Sequence, residues 1–174
     1  MQNKIILHHS AVSREKNAQQ FAAIDRYHKG KGWGEIGYHF LIEPDGKICR
    51  GRNLQKSGAH CVGKNDCIGI CLTGNFDTEE PTNSQIASLK KLVADLKISR
   101  ENFYFHREFA NKTCPGKNID KENLLNTLFE EKIPDWAQPT VDKMKAKGIK
   151  TPPTEKVGEM PLYQLLMTID KFIK

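Results

Sequence analysis

The sequence predicts an α/β domain, in which helices pack on a sheet, over roughly the first 130 residues. The run Lys4–His9 (KIILHH) is short, apolar and rich in isoleucine, which indicates a buried strand. Asn17–Lys29 follows with Phe21, Ile24 and Tyr27 at helical spacing. A second helix is expected where apolar residues recur every three or four positions from Ile86 to Leu96. Strands that alternate with helices are typical of this fold class.

The other elements follow in chain order. The glycine-rich stretch Gly30–Gly37 should end the first helix, and the sequence Pro44-Asp45-Gly46 should form the bend of a hairpin. Thr82 and Gln85 have the spacing of a capping box at the start of the second helix. The remaining predicted elements are the hairpin strands Tyr38–Ile42 and Lys47–Gly51, the strands Ile68–Leu72 and Phe103–Phe105, and a helix over Asp120–Phe129.

The pattern changes after Ile133, where prolines at positions 134, 139, 152 and 153 interrupt the chain. We therefore predict one main domain over residues 1–132 and a small helical C-terminal module over residues 133–174. Gln138–Lys147 and Pro161–Lys174 are its candidate helices. A segment of about 40 residues supports only a marginal core of its own. We expect it to pack on the first domain, to join two copies in a homo-oligomer, or to be held by a ligand.

Charge and composition exclude several classes of protein. Of the 174 residues, 27 are Lys or Arg and 21 are Asp or Glu, and the net charge of +6 is spread over both halves of the chain. Without a basic stripe, a nucleic-acid partner is not expected. No apolar run has the length of a membrane span, and the N-terminus lacks the pattern of a signal peptide. The protein is therefore expected to be cytoplasmic on synthesis.

Five cysteines, an odd number, do not describe a framework of disulfides. Cys61 and Cys67, six positions apart, are a possible disulfide in oxidising surroundings. Cys67 and Cys71 are poor candidates for a shared metal ion, because an extended chain would separate them by about 13 Å. We expect Cys71 to lie in the core.

Two local patterns together indicate a metal site. The first is His106, at the end of a predicted strand, with Cys114 eight residues later and just before a proline. The second is the pair His8-His9, of which only one side chain can face a given side of a strand. Spacing alone does not tell which one. Each residue alone is unremarkable, but two imidazoles and one thiolate form a ligand set of catalytic zinc, and the open fourth position favours hydrolysis.

Several spaced motifs, in the same order, resemble the type 2 N-acetylmuramoyl-L-alanine amidases. That family includes amidase-type phage lysozymes, bacterial wall-recycling amidases and animal peptidoglycan recognition proteins. The resemblance implies a mixed central sheet flanked by helices, with the metal in a groove. The matching segments are IILHHSA at 5–11, WGEIGYHFLIEPDGKICRGR at 33–52, GAH at 58–60, IGICLTGNF at 68–76 and H(x7)CP at 106–115.

The resemblance also implies which residues hold the metal. In the family the first histidine of the pair binds zinc, so His8 is expected to act with His106 and Cys114. His9 is then left to support a ligand or to pack. Cysteine as third ligand places the sequence closer to the phage lysozymes than to the recycling enzymes.

Roles for three further residues follow from the same resemblance. Tyr38 looks like the residue that hydrogen-bonds the attacking water or the developing oxyanion, and Lys112 like the charge that stabilises the oxyanion. His60 resembles a groove-lining histidine that contacts substrate or aids proton transfer. The plainer alternatives are a packed sheet residue for Tyr38 and a solvated loop charge for Lys112. His28 and His39 are expected to be ordinary helix and strand residues.

The predicted function is zinc-dependent hydrolysis of the amide bond between N-acetylmuramic acid and L-alanine in peptidoglycan. The protein would be a phage or prophage endolysin that acts on the cell wall after release. The alternatives are a host wall-recycling or autolytic amidase and a non-catalytic peptidoglycan-binding protein, although family members of the latter kind lack the cysteine ligand. The C-terminal segment loosely resembles an S-layer-homology or related wall-binding module, through Asp135-Trp136-Ala137, Val141, Gly148-Ile149 and Pro161-Leu162. Such a module would bind secondary wall polymers and tether the enzyme. The alternative is a helical hairpin that completes the core or forms a dimer contact.

Overall fold

The computed structural model describes residues 3–15 and 19–129, and beyond them positions 139, 142, 143 and 146. Met1–Phe129 forms one compact unit and Glu130–Lys174 the other. The four described positions of the second unit are helical and exposed. The predicted module over residues 133–174 otherwise lies outside the described residues. Its wall-binding and oligomer-forming roles stay predictions.

A five-stranded mixed sheet forms the centre of the first unit. Its spatial order is β3-β2-β4-β1-β5, in which β2 and β3 are antiparallel and the other neighbours are parallel. The predicted α/β fold with a mixed sheet is confirmed, and each strand lies where the sequence pattern places it. The strands are β1 (Ile5–His9), β2 (Phe40–Ile42), β3 (Ile48–Arg50), β4 (Ile68–Leu72) and β5 (Phe103–Phe105).

Among the described residues of the first unit, three α-helices flank the sheet: α1 (Phe21–Gly30), α2 (Asn83–Asp95) and α3 (Lys121–Phe129). The capping box before α2 is present, because the Thr82 hydroxyl accepts the Gln85 amide and the Gln85 side chain accepts the Thr82 amide. None of the helices among the described residues is long and apolar enough to cross a membrane.

Helix α1 begins later than predicted, at Phe21 rather than Asn17, and residues 16–18 lie outside the described range. The amides of Gln20 and Phe21 donate to the buried carboxylate of Glu43, at 2.8 to 3.1 Å. This carboxylate satisfies amides that a helix start leaves without internal partners. Because Glu43 is distant in sequence, local pattern did not show where α1 starts.

The two faces of the sheet differ in what covers them. Side chains alternate along each strand, so Ile5 and Leu7 face one side while Ile6 and His8 face the other. The side of Ile5 and Leu7 carries the main apolar core and includes residues of α2 and α3. The opposite side carries two smaller clusters, one of which packs against α1 through Phe21. The candidate site lies on this second side.

Candidate metal centre

The three predicted metal ligands come together. His8, His106 and Cys114 are all buried, and one ligand atom from each lies within 4.8 Å of the others. The His8 Nδ1 is 3.7 Å from the Cys114 Sγ, and the His8 and His106 ring centroids are 4.4 Å apart. His8 lies near the end of β1 and His106 directly after β5. Since these strands are parallel neighbours, their carboxyl ends meet at one edge.

The loop between His106 and Cys114 is closed by its own backbone. The backbone amide of Arg107 donates to the Cys114 carbonyl at 2.8 Å. The Arg107 guanidinium donates to the carbonyls of Gly116 and Ile119, both at 2.8 Å. These bonds stabilise the loop that links the two predicted ligands, His106 and Cys114. The Asp77 carboxylate also stabilises this loop, because it accepts hydrogen bonds from the Thr113 hydroxyl at 2.8 Å and from the Lys117 amide at 2.9 Å.

His9 takes part in a different way from His8. Its ring lies on the opposite face of β1, where its Nδ1 accepts the Phe76 amide at 3.2 Å. Its own backbone amide lies 3.4 Å from the Cys114 Sγ, with the sulfur as acceptor. The side chain therefore anchors the segment after β4, while the backbone supports a metal ligand.

The electrostatics of the cluster suit a bound cation. Burial lowers the pKa of His8 well below its usual value, and neighbouring imidazoles lower it further. Burial also lowers the pKa of His106 and raises that of Cys114 to about 11. Without a cation, the cluster thus holds two neutral imidazoles and a protonated thiol. Neutral imidazole and thiolate are ligands that zinc accepts, and a cation would displace the thiol proton. The cluster could therefore bind a metal ion.

A groove of about 460 Å³ opens over the cluster, and Tyr38 and Lys112 both line it. The Tyr38 ring centroid lies 5.2 Å from that of His8, and burial raises the pKa of its hydroxyl well above the usual range. The hydroxyl therefore remains a donor at neutral pH. Lys112 is exposed and lies at the groove beside Thr113 and Cys114.

His60 also lines the groove, but it lies in direct contact with a metal ligand. Its Nδ1 is 3.0 Å from the Nε2 of His8, and its Nε2 is 3.0 Å from the Cys67 carbonyl oxygen. Burial lowers the pKa of His60 to about 4, so the ring is neutral at physiological pH.

Sequence reasoning missed part of the groove wall. His28, which we expected to be an ordinary helix residue, is buried and lines the groove beside Trp33, with the two ring centroids 4.6 Å apart. Its Nδ1 accepts the Gly37 amide at 3.0 Å. Tyr27, on the predicted apolar side of the same helix, is 61% exposed. The sequence signal for a role of His28 was the motif at residues 33–52, which contains Trp33 and Gly37 and begins shortly after α1.

His39 behaves as the sequence suggested, because it serves the fold. It is fully buried, its Nδ1 accepts the Gly69 amide at 2.9 Å, and its Nε2 donates to the Lys56 carbonyl at 3.0 Å. It joins β4 to the loop that follows β3.

The cysteines other than Cys114 are also free thiols. Cys61 and Cys67 are buried in one small cluster with Ile6, and the possible disulfide between them is not formed in this structure. Cys71 lies in the core as expected, where it packs beside Tyr38.

Comparison with known proteins gives consistent matches. Residues 2–117 match the family model described as N-acetylmuramoyl-L-alanine amidase. The chain is 36% identical over 129 residues to peptidoglycan-recognition protein SC2 of Drosophila melanogaster, covering 67% of this chain and 70% of that protein. It is 34% identical over 125 residues to the endolysin of Escherichia phage T7, covering 67% and 82%. Among solved structures, N-acetylmuramoyl-L-alanine amidase LysC from Clostridium intestinale URNW matches with a TM-score of 0.64 at 34% identity, over 75% of this chain and 87% of that one.

Proposed function

The chain belongs to the N-acetylmuramoyl-L-alanine amidase family, and from this premise we propose that a zinc ion held by His8, His106 and Cys114 serves the cleavage of peptidoglycan. The bond cut is the amide between the lactyl group of N-acetylmuramic acid and the amino group of L-alanine. The observation that carries the zinc assignment is the convergence of two imidazoles and one thiol within 4.8 Å in a buried floor of the groove. Two nitrogens and one sulfur match catalytic zinc sites, which keep a fourth position open.

Zinc in such a donor set supplies Lewis acidity, which activates water near neutral pH and polarises an amide carbonyl. The protein's own groups supply orientation and charge. The Tyr38 hydroxyl, which is protonated at neutral pH as in any tyrosine and whose pKa burial raises further, donates a hydrogen bond to the attacking water or to the developing oxyanion. The Lys112 ammonium stabilises the negative charge on the carbonyl oxygen as the tetrahedral intermediate forms.

We infer that the biological role is that of a phage or prophage endolysin, which acts on the cell wall after release. Relatives named as endolysins, from phages T7 and T3, match over 82% of their own lengths. A host wall-recycling or autolytic amidase uses the same chemistry and remains the second candidate. A protein that only binds peptidoglycan is less well supported, because Cys114 completes the ligand cluster.

Digestion of purified peptidoglycan tests this function. The zinc-loaded protein is expected to release peptides with new L-alanine amino termini and to leave glycan strands with free lactyl carboxylates, one water added per cut. Removal of zinc with a chelator should stop the release, and added zinc should restore it. New reducing sugar ends, or cleavage within the stem peptides, would instead show a different hydrolase. Binding to the wall without any release would show a binding protein.

Lys112→Ala is expected to lower kcat about 10- to 100-fold while zinc content stays that of the wild type. The effect should be smaller than for a buried donor, because the Lys112 side chain is exposed and salt screens its charge. Lys117→Ala is the matched control, since Lys117 is also exposed and does not line the groove. Equal rates for both variants would make Lys112 a solvated loop charge.

A further inference from the structure

His60 contacts the metal ligand His8 directly, and the proposed function gives this contact no role. The two nitrogens of His8 face different partners: Nδ1 lies 3.7 Å from the Cys114 Sγ, while Nε2 lies 3.0 Å from the Nδ1 of His60. His8 can bind a metal only through a nitrogen that carries a lone pair. Which nitrogen carries the proton therefore decides whether the cluster is ready for a metal.

The contacts of His60 determine which ring nitrogen of His8 carries the proton. Its Nε2 lies 3.0 Å from the Cys67 carbonyl oxygen, which can only accept, so this nitrogen carries the hydrogen. A neutral imidazole has one N–H, which leaves the His60 Nδ1 as an acceptor. The His8 Nε2 must then donate to it. The lone pair of His8 consequently lies on Nδ1, the nitrogen that faces Cys114.

We propose that His60 is a positioning residue that fixes the tautomer and the ring orientation of His8 for metal binding, with the Cys67 carbonyl as its anchor. The proposal rests on the metal role assigned above to His8. His60 would position His8 in the metal-free and in the zinc-bound protein, whether or not substrate is present. An acceptor on the outer nitrogen also makes a ligating imidazole more basic.

The surrounding chain is built around the His60 ring. A Cβ atom on Gly69, the second residue of β4, would lie 2.4 Å from the His60 Cδ2, and one on Gly58 would lie 2.3 Å from the same atom. Two glycines thus leave a slot that a side chain at either position would fill. The Asn65 Oδ1 accepts the amides of both His60 and Cys61 at 2.9 Å, which holds the backbone beside the slot.

This environment favours positioning over substrate contact. Both ring nitrogens of His60 are engaged within the protein, so neither is left to donate to or accept from a substrate. The slot also fixes the His60 ring against β4. A side chain that adjusts to a bound substrate would instead need freedom to move. Substrate contact by His60, as the sequence suggested, then requires one of these two bonds to break.

The test measures zinc affinity by competition with a chelator, in the absence of substrate. His60→Ala is expected to weaken zinc binding about 10- to 100-fold, because the acceptor for His8 is lost. His60→Asn should retain most of the affinity, since its side-chain oxygen can take the place of Nδ1. Lys64→Ala, an exposed position on the same loop, should bind zinc as the wild type does. Unchanged affinity in His60→Ala, together with a raised KM, would overturn the proposal in favour of substrate contact.

Nitrogen NMR of the metal-free wild type gives a second readout that does not depend on variant folding or on activity. Both His8 and His60 are expected in the Nε2–H tautomer. A His8 proton on Nδ1 would contradict the hydrogen-bond chain. A protein that binds zinc with these properties but cuts no peptidoglycan would refute the proposed function and leave the role of His60 intact.

Discussion

Cys114→Ser is expected to remove both bound zinc and amidase activity, with kcat/KM lower by about 10³-fold or more. Cys114 supplies the only sulfur of the cluster, and its Sγ lies 3.7 Å from the His8 Nδ1. A serine hydroxyl is not among the usual zinc ligands, which are thiolate, imidazole and carboxylate. The site would keep two neutral imidazoles and lose the anionic ligand that offsets the charge of the ion.

Zinc content after dialysis, measured by elemental mass spectrometry, and the release of L-alanine amino termini report on the two losses separately. Cys49→Ser is the matched control, because Cys49 is a half-buried thiol on β3 outside the cluster. It should keep metal and activity. A Cys114→Ser protein that holds zinc as tightly as the wild type would show that the ligand assignment is wrong.

Tyr38→Phe is expected to lower kcat about 10²- to 10³-fold while zinc remains bound. The change removes one hydroxyl, together with its contact to the Cys71 thiol, and keeps the ring beside His8. The lost group is a donor at neutral pH, as in any tyrosine, and burial raises its pKa further. The effect should appear in kcat more than in KM, since a developing oxyanion exists only along the reaction.

Steady-state kinetics and zinc content of the same preparation test this expectation. Tyr27→Phe makes the same chemical change at a ring that is 61% exposed, and it should react at the wild-type rate. Loss of zinc from Tyr38→Phe would mean that the hydroxyl supports the ligands rather than the reaction. An unchanged kcat would make Tyr38 a packing residue of the sheet.

Much of the fold followed from local pattern, because strands and helices impose their own periods on the sequence. The apolar run of β4 and the capping box at Thr82 are examples, and both lie where the pattern indicated. The start of α1 did not follow, since the carboxylate of Glu43 that receives its first amides comes from a distant hairpin. Local sequence thus predicted the start of α2, whereas the start of α1 depends on a residue from outside the helix.

The candidate site divides in a similar way. The grouping of His8 with His106 and Cys114 could be inferred, because strand ends bring such residues to one edge and the ligand types are characteristic. The bond between His8 and His60 joins residues 52 positions apart and has no local signature. For the same reason Gly69 looked like an ordinary position of an apolar strand, although it leaves room for an imidazole.

The two faces of the sheet have different roles, because one carries the main apolar core and the other the candidate metal centre. Neighbouring residues of β1 belong to different tasks, with Leu7 in the main apolar core and His8 in the metal cluster. Substitutions that line the groove are therefore expected to affect metal binding and the reaction, whereas substitutions on the Leu7 side are expected to affect the stability of the domain.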